Sequence, residues 1–330
     1  MASAATVSQA DELLLYINFN PNGSTVRPGF GNADTLTSPI VPGVRFCPAP
    51  LLSQDQKDEI VRLVSDEFSP FNIRITTDAA VFAAYPRQNK QMCLITTTPA
   101  VIGYSSETGG VSPFAGVGFR LPGDFAFAFS SQVANDPHGV AAIVAHESAH
   151  LLGLGHQHLF SETCGFLTEY HPGFGFGPLA FNPLMGDGFG DGINNWFAQV
   201  CPSPVYGVPQ NDYDLINSQV IIRPDDFPDE PGGEVVGNRQ ITGVLERAGD
   251  VDHIKIKFRN PGPVFISSDN IDLQVKLLRP NGEVIETFND PDSPNVVIPS
   301  ARGMKYLKIK ARRNENMRAR FMTGTYRISY

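Results

Sequence analysis

The chain has 330 residues, room for two domains that each bury their own core. Its 31 glycines and 27 prolines promise many turns yet fall short of low-complexity disorder. A net charge of −9 leaves no basic excess to neutralise phosphates, which excludes bulk electrostatic binding of nucleic acid, and no apolar run approaches the ~18 residues of a membrane-crossing helix.

The β-favouring run LLLYINF at 13–19 predicts a buried strand, followed by a Gly/Pro-rich excursion from Asn20 to Pro50. From Ser53 the period changes. Ile60, Val61, Val64 and Phe68 recur at helical spacing, so a helix is predicted over about 54–68 with Ser53 as its N-cap. FNIRITT (71–77), MCLITTT (92–98) and DFAFAFS (124–130) return to strand, an order that predicts an α/β layer. Asp136 caps a second helix that opens on Pro137, where a missing N–H costs nothing, and runs to Gly153. Residues 159–209 show little periodicity, and NDYDLINSQV (211–220) predicts one more short helix. In RPDDFPDEPGGE (223–234), acidic residues, prolines and glycines crowd into a predicted linker. Beyond it HIKIKF (253–258), PVFIS (263–267), IDLQVKLL (271–278), EVIETF (283–288), KYLKIKA (305–311) and TYRISY (325–330) alternate between turn signals, which predicts an antiparallel β-sandwich.

Cys47, Cys93, Cys164 and Cys201 are even in number and form no CxxC pair, which suits two disulfides better than a thiolate metal site. Of the three pairings, Cys47–Cys93 with Cys164–Cys201 is favoured, each bridge contributing roughly 3–4 kcal/mol on the loop-entropy model. Four buried free thiols are the alternative. Disulfides imply export, so the protein is expected to be secreted; the opening MASAATVSQA lacks a leader's basic start and apolar stretch, and a leader is expected to have been removed or left out.

Four of seven histidines fall in HESAHLLGLGHQH, which fits HExxHxxGxxH through His146, Glu147, His150, Gly153 and His156. His146 and His150 lie one helical turn apart, so both imidazoles leave the same face and reach one zinc ion at ~2.0–2.1 Å. Gly153 permits the left-handed residue that ends a helix, letting the chain return His156 to the same metal. Three nitrogens leave a fourth position for water, and Glu147, beside the first ligand but off the ligand stripe, is placed as general base and then acid. A zinc site serving structure alone would normally have a fourth protein ligand. His158 is expected to be a solvated loop residue, and His138, His171 and His253 incidental.

With this motif the chain resembles the metzincin clan of zinc endopeptidases. The clan's methionine turn is matched by Met185 in PLMGDGF, and NPLMGDGF, Trp196, QNDYDLI, FSPFNI and the TTD at 76–78 are similar to a group of secreted bacterial metzincins. The resemblance covers roughly residues 12–220. It implies an α/β (α+β) catalytic domain with a mixed twisted sheet and an active-site helix. Substrate would add as a strand on an edge presented by DFAFAFS or FAGVGFR (114–120), and Phe189 and Trp196 would wall the pocket for the residue after the scissile bond, although both are equally explicable as core. Asp187 occupies the position two after Met185, so no tyrosine ligand is implied there, and Gln157 after the third histidine leaves the subfamily open. Asp187 and Asp191, and likewise the acidic linker, are weak candidates for Ca2+. From about residue 234, TGVLERAGDVDHIKIKF, NIDLQVKLLRPNGEV and GTYRISY resemble the bacterial pre-peptidase C-terminal domain, which implies a docking, targeting or stabilising role.

The expected organisation is therefore a metzincin-like catalytic domain over 1–222, a linker over 223–234 and an all-β antiparallel sandwich over 235–330. The expected activity is zinc-dependent hydrolysis of internal peptide bonds by a secreted monomer, acting on a protein or peptide substrate and not on nucleic acid. The competing expectation is a secreted, non-catalytic binding protein that keeps the scaffold and engages a surface polymer or partner through the β-sandwich.

Overall fold

A computed structural model describes residues 11–188, 192–312 and 322–330; Phe189 and Asp191, named above, lie outside the described residues. Strand β1 (Leu13–Asn18) pairs in parallel with β2 (Ile73–Thr76) on one side and β3 (Lys90–Thr96) on the other. At the far edge, β4 (Gly110–Val111) runs antiparallel to β5 (Phe125–Phe129), which itself lies parallel to β3. The sheet is thus mixed, in the order β2-β1-β3-β5-β4. DFAFAFS is consequently covered by β4, and FAGVGFR forms no strand because Gly118 N–H bonds to Gly153 O at the end of the following helix. The exposed edge belongs to β4 instead.

Period-2 alternation divides the sheet's side chains between two cores. Leu13, Leu15, Ile17, Cys93, Ile95, Ala126 and Ala128 face helices α1 (Gln54–Glu67) and α3 (Pro137–Leu151), while Leu14, Tyr16, Met92, Leu94, Phe125, Phe127 and Phe129 face the excursion that carries Val26, Val41 and Cys47. The small helix α2 (Ala79–Ala84) packs its Phe82 on this second side. Cys93 and Cys47 therefore lie on opposite faces, and the Cys47–Cys93 bridge expected from sequence does not form. Both are buried free thiols, and burial pushes Cys47 up to about 12 and Cys93 well above the usual thiol range. Cys164–Cys201 is a disulfide.

Helix starts follow the local chemistry. Ser53 Oγ accepts from Gln56 N–H at 3.2 Å and Gln56 Oε1 accepts from Ser53 N–H at 2.9 Å, a reciprocal capping box. Asp136 Oδ2 accepts from Gly139 N–H at 2.9 Å, so α3 starts at Pro137 as its sequence requires. Every residue of α3 from Gly139 onward is buried, which explains why it carries apolar or small residues almost all round. Helix α4 is Asp212–Gln219.

The C-terminal part is a six-stranded antiparallel sheet formed by β6 (Gln240–Leu245), β7 (Asp252–Ser267), β8 (Leu273–Leu278), β9 (Val284–Phe288), β10 (Val296–Ala311) and β11 (Gly324–Ser329). Their order is β6-β11-β7-β10-β8-β9, an arrangement consistent with a β-sandwich. HIKIKF and PVFIS prove to be one 16-residue strand, β7, whose pairing with β10 shifts register between Phe258 and Val264. The irregularity sits at the Asn260–Pro261–Gly262 signal that reads as a turn in sequence.

Residues 223–234 run along this sheet. Asp226 Oδ2 accepts from Val244 N–H and Pro228 O from His253 N–H. The loops after α3 also join its core, since Phe181, Ile193 and Phe197 pack with Ile241, Leu273 and Tyr326. Polar ties complete the junction. Arg327 pairs with Asp66 at 2.6 Å, Asn270 Nδ2 donates to Asp66 O at 2.7 Å, and Tyr213 Oη donates to Glu246 O at 2.6 Å.

Candidate metal centre

The buried end of α3 projects His146 and His150, one turn apart, and Gly153 then takes φ +84°, a conformation that L side chains rarely adopt. A Cβ there would also lie 2.6 Å from Phe119 N, so both conformation and close approach demand glycine. The chain doubles back and brings His156 to the same place: one ring nitrogen from each of the three histidines lies within 4.8 Å of the others. Ring centroids are 4.8, 4.9 and 5.3 Å apart.

Each ring is held from behind by its Nδ1. His146 Nδ1 lies 2.7 Å from Leu184 O, His150 Nδ1 lies 2.7 Å from Leu154 O, and His156 Nδ1 lies 3.0 Å from Glu169 Oε1. A carbonyl accepts and does not donate, so the first two rings carry their proton on Nδ1 and present an unprotonated Nε2; the Glu169 carboxylate fixes the third in the same way. Burial, reinforced by the neighbouring imidazoles, holds His146 well below its ordinary pKa, and burial takes His150 down to about 3. His156 is lowered by burial too, although Glu169 opposes the shift. Three neutral imidazoles with fixed tautomers match the donor set of a zinc site, and among the described residues no fourth His, Cys, Asp or Glu joins the group.

Met185 is fully buried and its carbonyl accepts from Gln157 N–H at 2.7 Å, so the Pro183–Gly186 turn is bonded both to His146, through Leu184 O, and to the residue after His156. Glu147 is buried, and burial holds its carboxyl well above the carboxylate range. It lies against the edge strand: a Cβ on Gly110 would fall 2.4 Å from Glu147 Cγ, so β4 approaches this carboxylate only through a glycine.

Glu169 was missed from sequence because it lies in the aperiodic stretch after the ligands, where nothing in the residue pattern singles it out. Tyr170 beside it packs over His156 with centroids 4.5 Å apart. Removing the Glu169 carboxylate by Glu169→Ala is expected to weaken zinc affinity ~10–100-fold, read from competition with a chromogenic chelator. An unchanged affinity would show that the Leu184 and Leu154 carbonyls suffice.

Other expectations need correction. Trp196 walls no pocket; it is 2% exposed, packs on Phe68 and donates its Nε1–H to Glu67 O at 2.7 Å, because the strand-forming residues 193–195 turn it inward under α1. His158 is not solvated: it is buried, with Nδ1 2.7 Å from Glu169 O and Nε2 3.1 Å from Ser203 Oγ. His171 is buried and accepts from Gly173 N–H, and burial takes it down to about 4. Asp187 is exposed and belongs to no potential metal cluster among the described residues.

No family model matches the chain, and no curated protein matches it significantly. Solved structures similar to part of it include the pre-peptidase C-terminal domain of a collagenase from Bacillus anthracis, at 18% identity over 32% of this chain and 98% of that one, with a TM-score of 0.23. The periplasmic inhibitors of g-type lysozyme from Aeromonas hydrophila and Salmonella Typhimurium match at 16% and 20% identity over 27% and 30% of this chain, covering 82% and 98% of theirs, with TM-scores of 0.21 and 0.20.

A second cluster joins the 223–234 segment to the sheet. Carboxylate oxygens of Asp225, Asp229 and Asp250 lie within 4.8 Å of one another, as do those of Asp225, Asp226 and Glu246. Glu246 is fully buried with neither carboxylate oxygen hydrogen-bonded, and Asp252, which accepts from Tyr326 Oη, keeps Oδ1 without a partner. Burial first, then the surrounding carboxylates, push Glu246 up to about 9 and Asp252 up to about 8. Hard oxygen donors in this number suit a divalent cation such as Ca2+.

Proposed function

We propose that this chain is a zinc-dependent endopeptidase with a metzincin-like catalytic part over residues 1–222. The observation that carries the reading is the convergence of three imidazoles, each with Nδ1 engaged, beside a buried glutamate at a sheet edge. Bound zinc would supply a Lewis acid for a peptide carbonyl and a water of near-neutral pKa. His146, His150 and His156 would hold the ion. Glu147 would accept the proton of the attacking water and deliver it to the departing amine. The substrate backbone adds to β4, where Gly110 leaves room for Glu147 to reach the scissile bond. The disulfide supports an extracellular setting.

Hydrolysis of unfolded casein by the purified chain, abolished by phenanthroline and restored by added zinc, is the expected result. Zinc binding without cleavage of casein or of a peptide library would leave the binding-scaffold alternative.

The acidic cluster is read as a Ca2+ site that fastens residues 223–234 to the C-terminal sheet. Its sign with pH is definite. Carboxyls whose folded pKa is raised contribute stability that is complete below the unfolded value near 4 and is lost as pH rises through about 8–9, unless a cation takes the proton's place. Adding calcium at pH 7.5 to a hundredfold excess over Kd is expected to raise Tm by roughly 5 °C, and Asp250→Asn to remove most of that shift. Equal melting curves with calcium and with a chelator would refute the assignment.

A further inference from the structure

A cavity of about 510 Å³ lies where the catalytic part meets the C-terminal sheet. It is lined by Asp66 and Glu67 at the end of α1, by Asp136 and His138 at the start of α3, and by sheet loops carrying Asp269 and Asp292. Among the described residues, neither lysine nor arginine lines it. The two guanidiniums nearby are already engaged, Arg327 with Asp66 at 2.6 Å and Arg62 with Asp66 at 2.9 Å and Asp269 at 2.5 Å. Asp136 is occupied in capping α3.

Glu67 has no such partner among the described residues. It is only 7% exposed, and its Oε2 is buried without a hydrogen bond. A buried carboxylate left bare is costly, because desolvation is not repaid by any donor.

We propose that this junction cavity binds an organic cation, a guanidinium or primary ammonium group, and that Glu67 meets its charge. Size and spacing distinguish the occupant from a metal ion. The volume falls in the range of small-molecule sites, ~300–1,000 Å³. Among the described residues, carboxylates close enough to share one ion occur in the linker cluster and not here. Ten residues of α3, about 15 Å along its axis, separate Asp136 from His146, so the site is independent of the metal centre and of the activity proposed for it. Burial and the adjacent Asp66 hold the Glu67 carboxyl well above its usual range, a shift that an arriving cation opposes. Cation binding therefore favours release of any proton Glu67 holds, and Asp136, Asp269 and Asp292 line the cavity beside it.

The test is calorimetric titration of the full chain with arginine, with N-acetylarginine amide and with uncharged citrulline, each in two buffers of different ionisation enthalpy. Saturable single-site binding of an arginine compound with proton release, and none of citrulline, is the expected result. Comparable binding of the amide identifies an arginine within a polypeptide as the source, and binding of free arginine alone identifies a small metabolite. Glu67→Gln should weaken binding by at least about tenfold and remove the proton release. Asp292→Asn, exposed at the rim, should weaken it about two- to threefold and serves as the reporter if the Glu67 variant fails to fold. Absence of saturable heat at millimolar arginine, equal binding of citrulline, or variants indistinguishable from the parent would overturn the proposal.

Discussion

Glu147→Gln is expected to lower kcat/KM on a peptide substrate by about 10²–10⁴-fold while zinc binding is retained. The substitution keeps the side chain's shape against Gly110 and leaves all three Nδ1 contacts untouched. Only the proton acceptor is lost. Because proton transfer is needed in the transition state and not for substrate docking, the loss should appear in kcat with KM little changed. A variant that cleaves at the parental rate would remove Glu147 from the mechanism, whereas one that also loses zinc would show that the carboxylate supports the metal.

His150→Phe should have the larger effect on the metal. Phenylalanine preserves the edge-on contact with Phe114, whose centroid is 5.7 Å from that of His150, but offers no lone pair. Zinc affinity should fall by more than the ~10–100-fold expected from loss of Glu169, and cleavage should fall below detection. Equilibrium dialysis against zinc and the casein assay measure the two losses separately. Retention of one tightly bound zinc would require a different ligand set.

Acid acts on the same residues with a defined sign. The folded chain holds His146, His150 and His156 neutral below their ordinary range, so the unfolded chain takes up protons first. The stability contributed by these neutral rings is complete above the unfolded value near 6.5 and is lost as pH falls towards about 3, where His150 titrates in the fold. Protons also compete with zinc for the same nitrogens, and metal loss is expected below about pH 5–6. Melting curves of zinc-free protein at pH 7 and pH 5 should differ in that direction. The raised carboxyls of the linker cluster push the other way, so calcium-free protein should be most stable at an intermediate pH.

How far the sequence discloses the molecule depends on whether a feature is local. Caps at Ser53 and Asp136, the helices that each opens, and the turn at Gly153 are each encoded within a few residues, and their expected positions agree with the elements formed. Apolar, β-favouring runs at 13–19 and 92–98 mark strands, but whether a partner stands on the near or far face is a matter of register and crossover. For that reason Cys93 could be assigned to a strand while its supposed bridge to Cys47 failed. Trp196 misled for a related reason, since an aromatic after a metal-binding stretch looks the same whether it turns outward to a pocket or inward under α1. Glu169, Gly110 and the Leu154 and Leu184 carbonyls are brought to the histidines only by the fold. The break at 260–262 shows the converse: turn residues that seemed to end a strand instead sit within an irregular stretch of one.

The sharing of Phe181, Ile193 and Phe197 between the post-α3 loops and the C-terminal sheet sets a limit on how the molecule can be divided. A chain cut after Ile222 would present three uncovered aromatic and aliphatic side chains to water and would strip Asp66 of Arg327, leaving Arg62 alone to answer a buried charge. These lesions lie next to the Pro183–Gly186 turn that braces His146. The C-terminal sheet thus serves as a wedge behind the histidine-bearing segment, so that shortening the protein would loosen the three-imidazole cluster from the rear while every histidine remained in the chain.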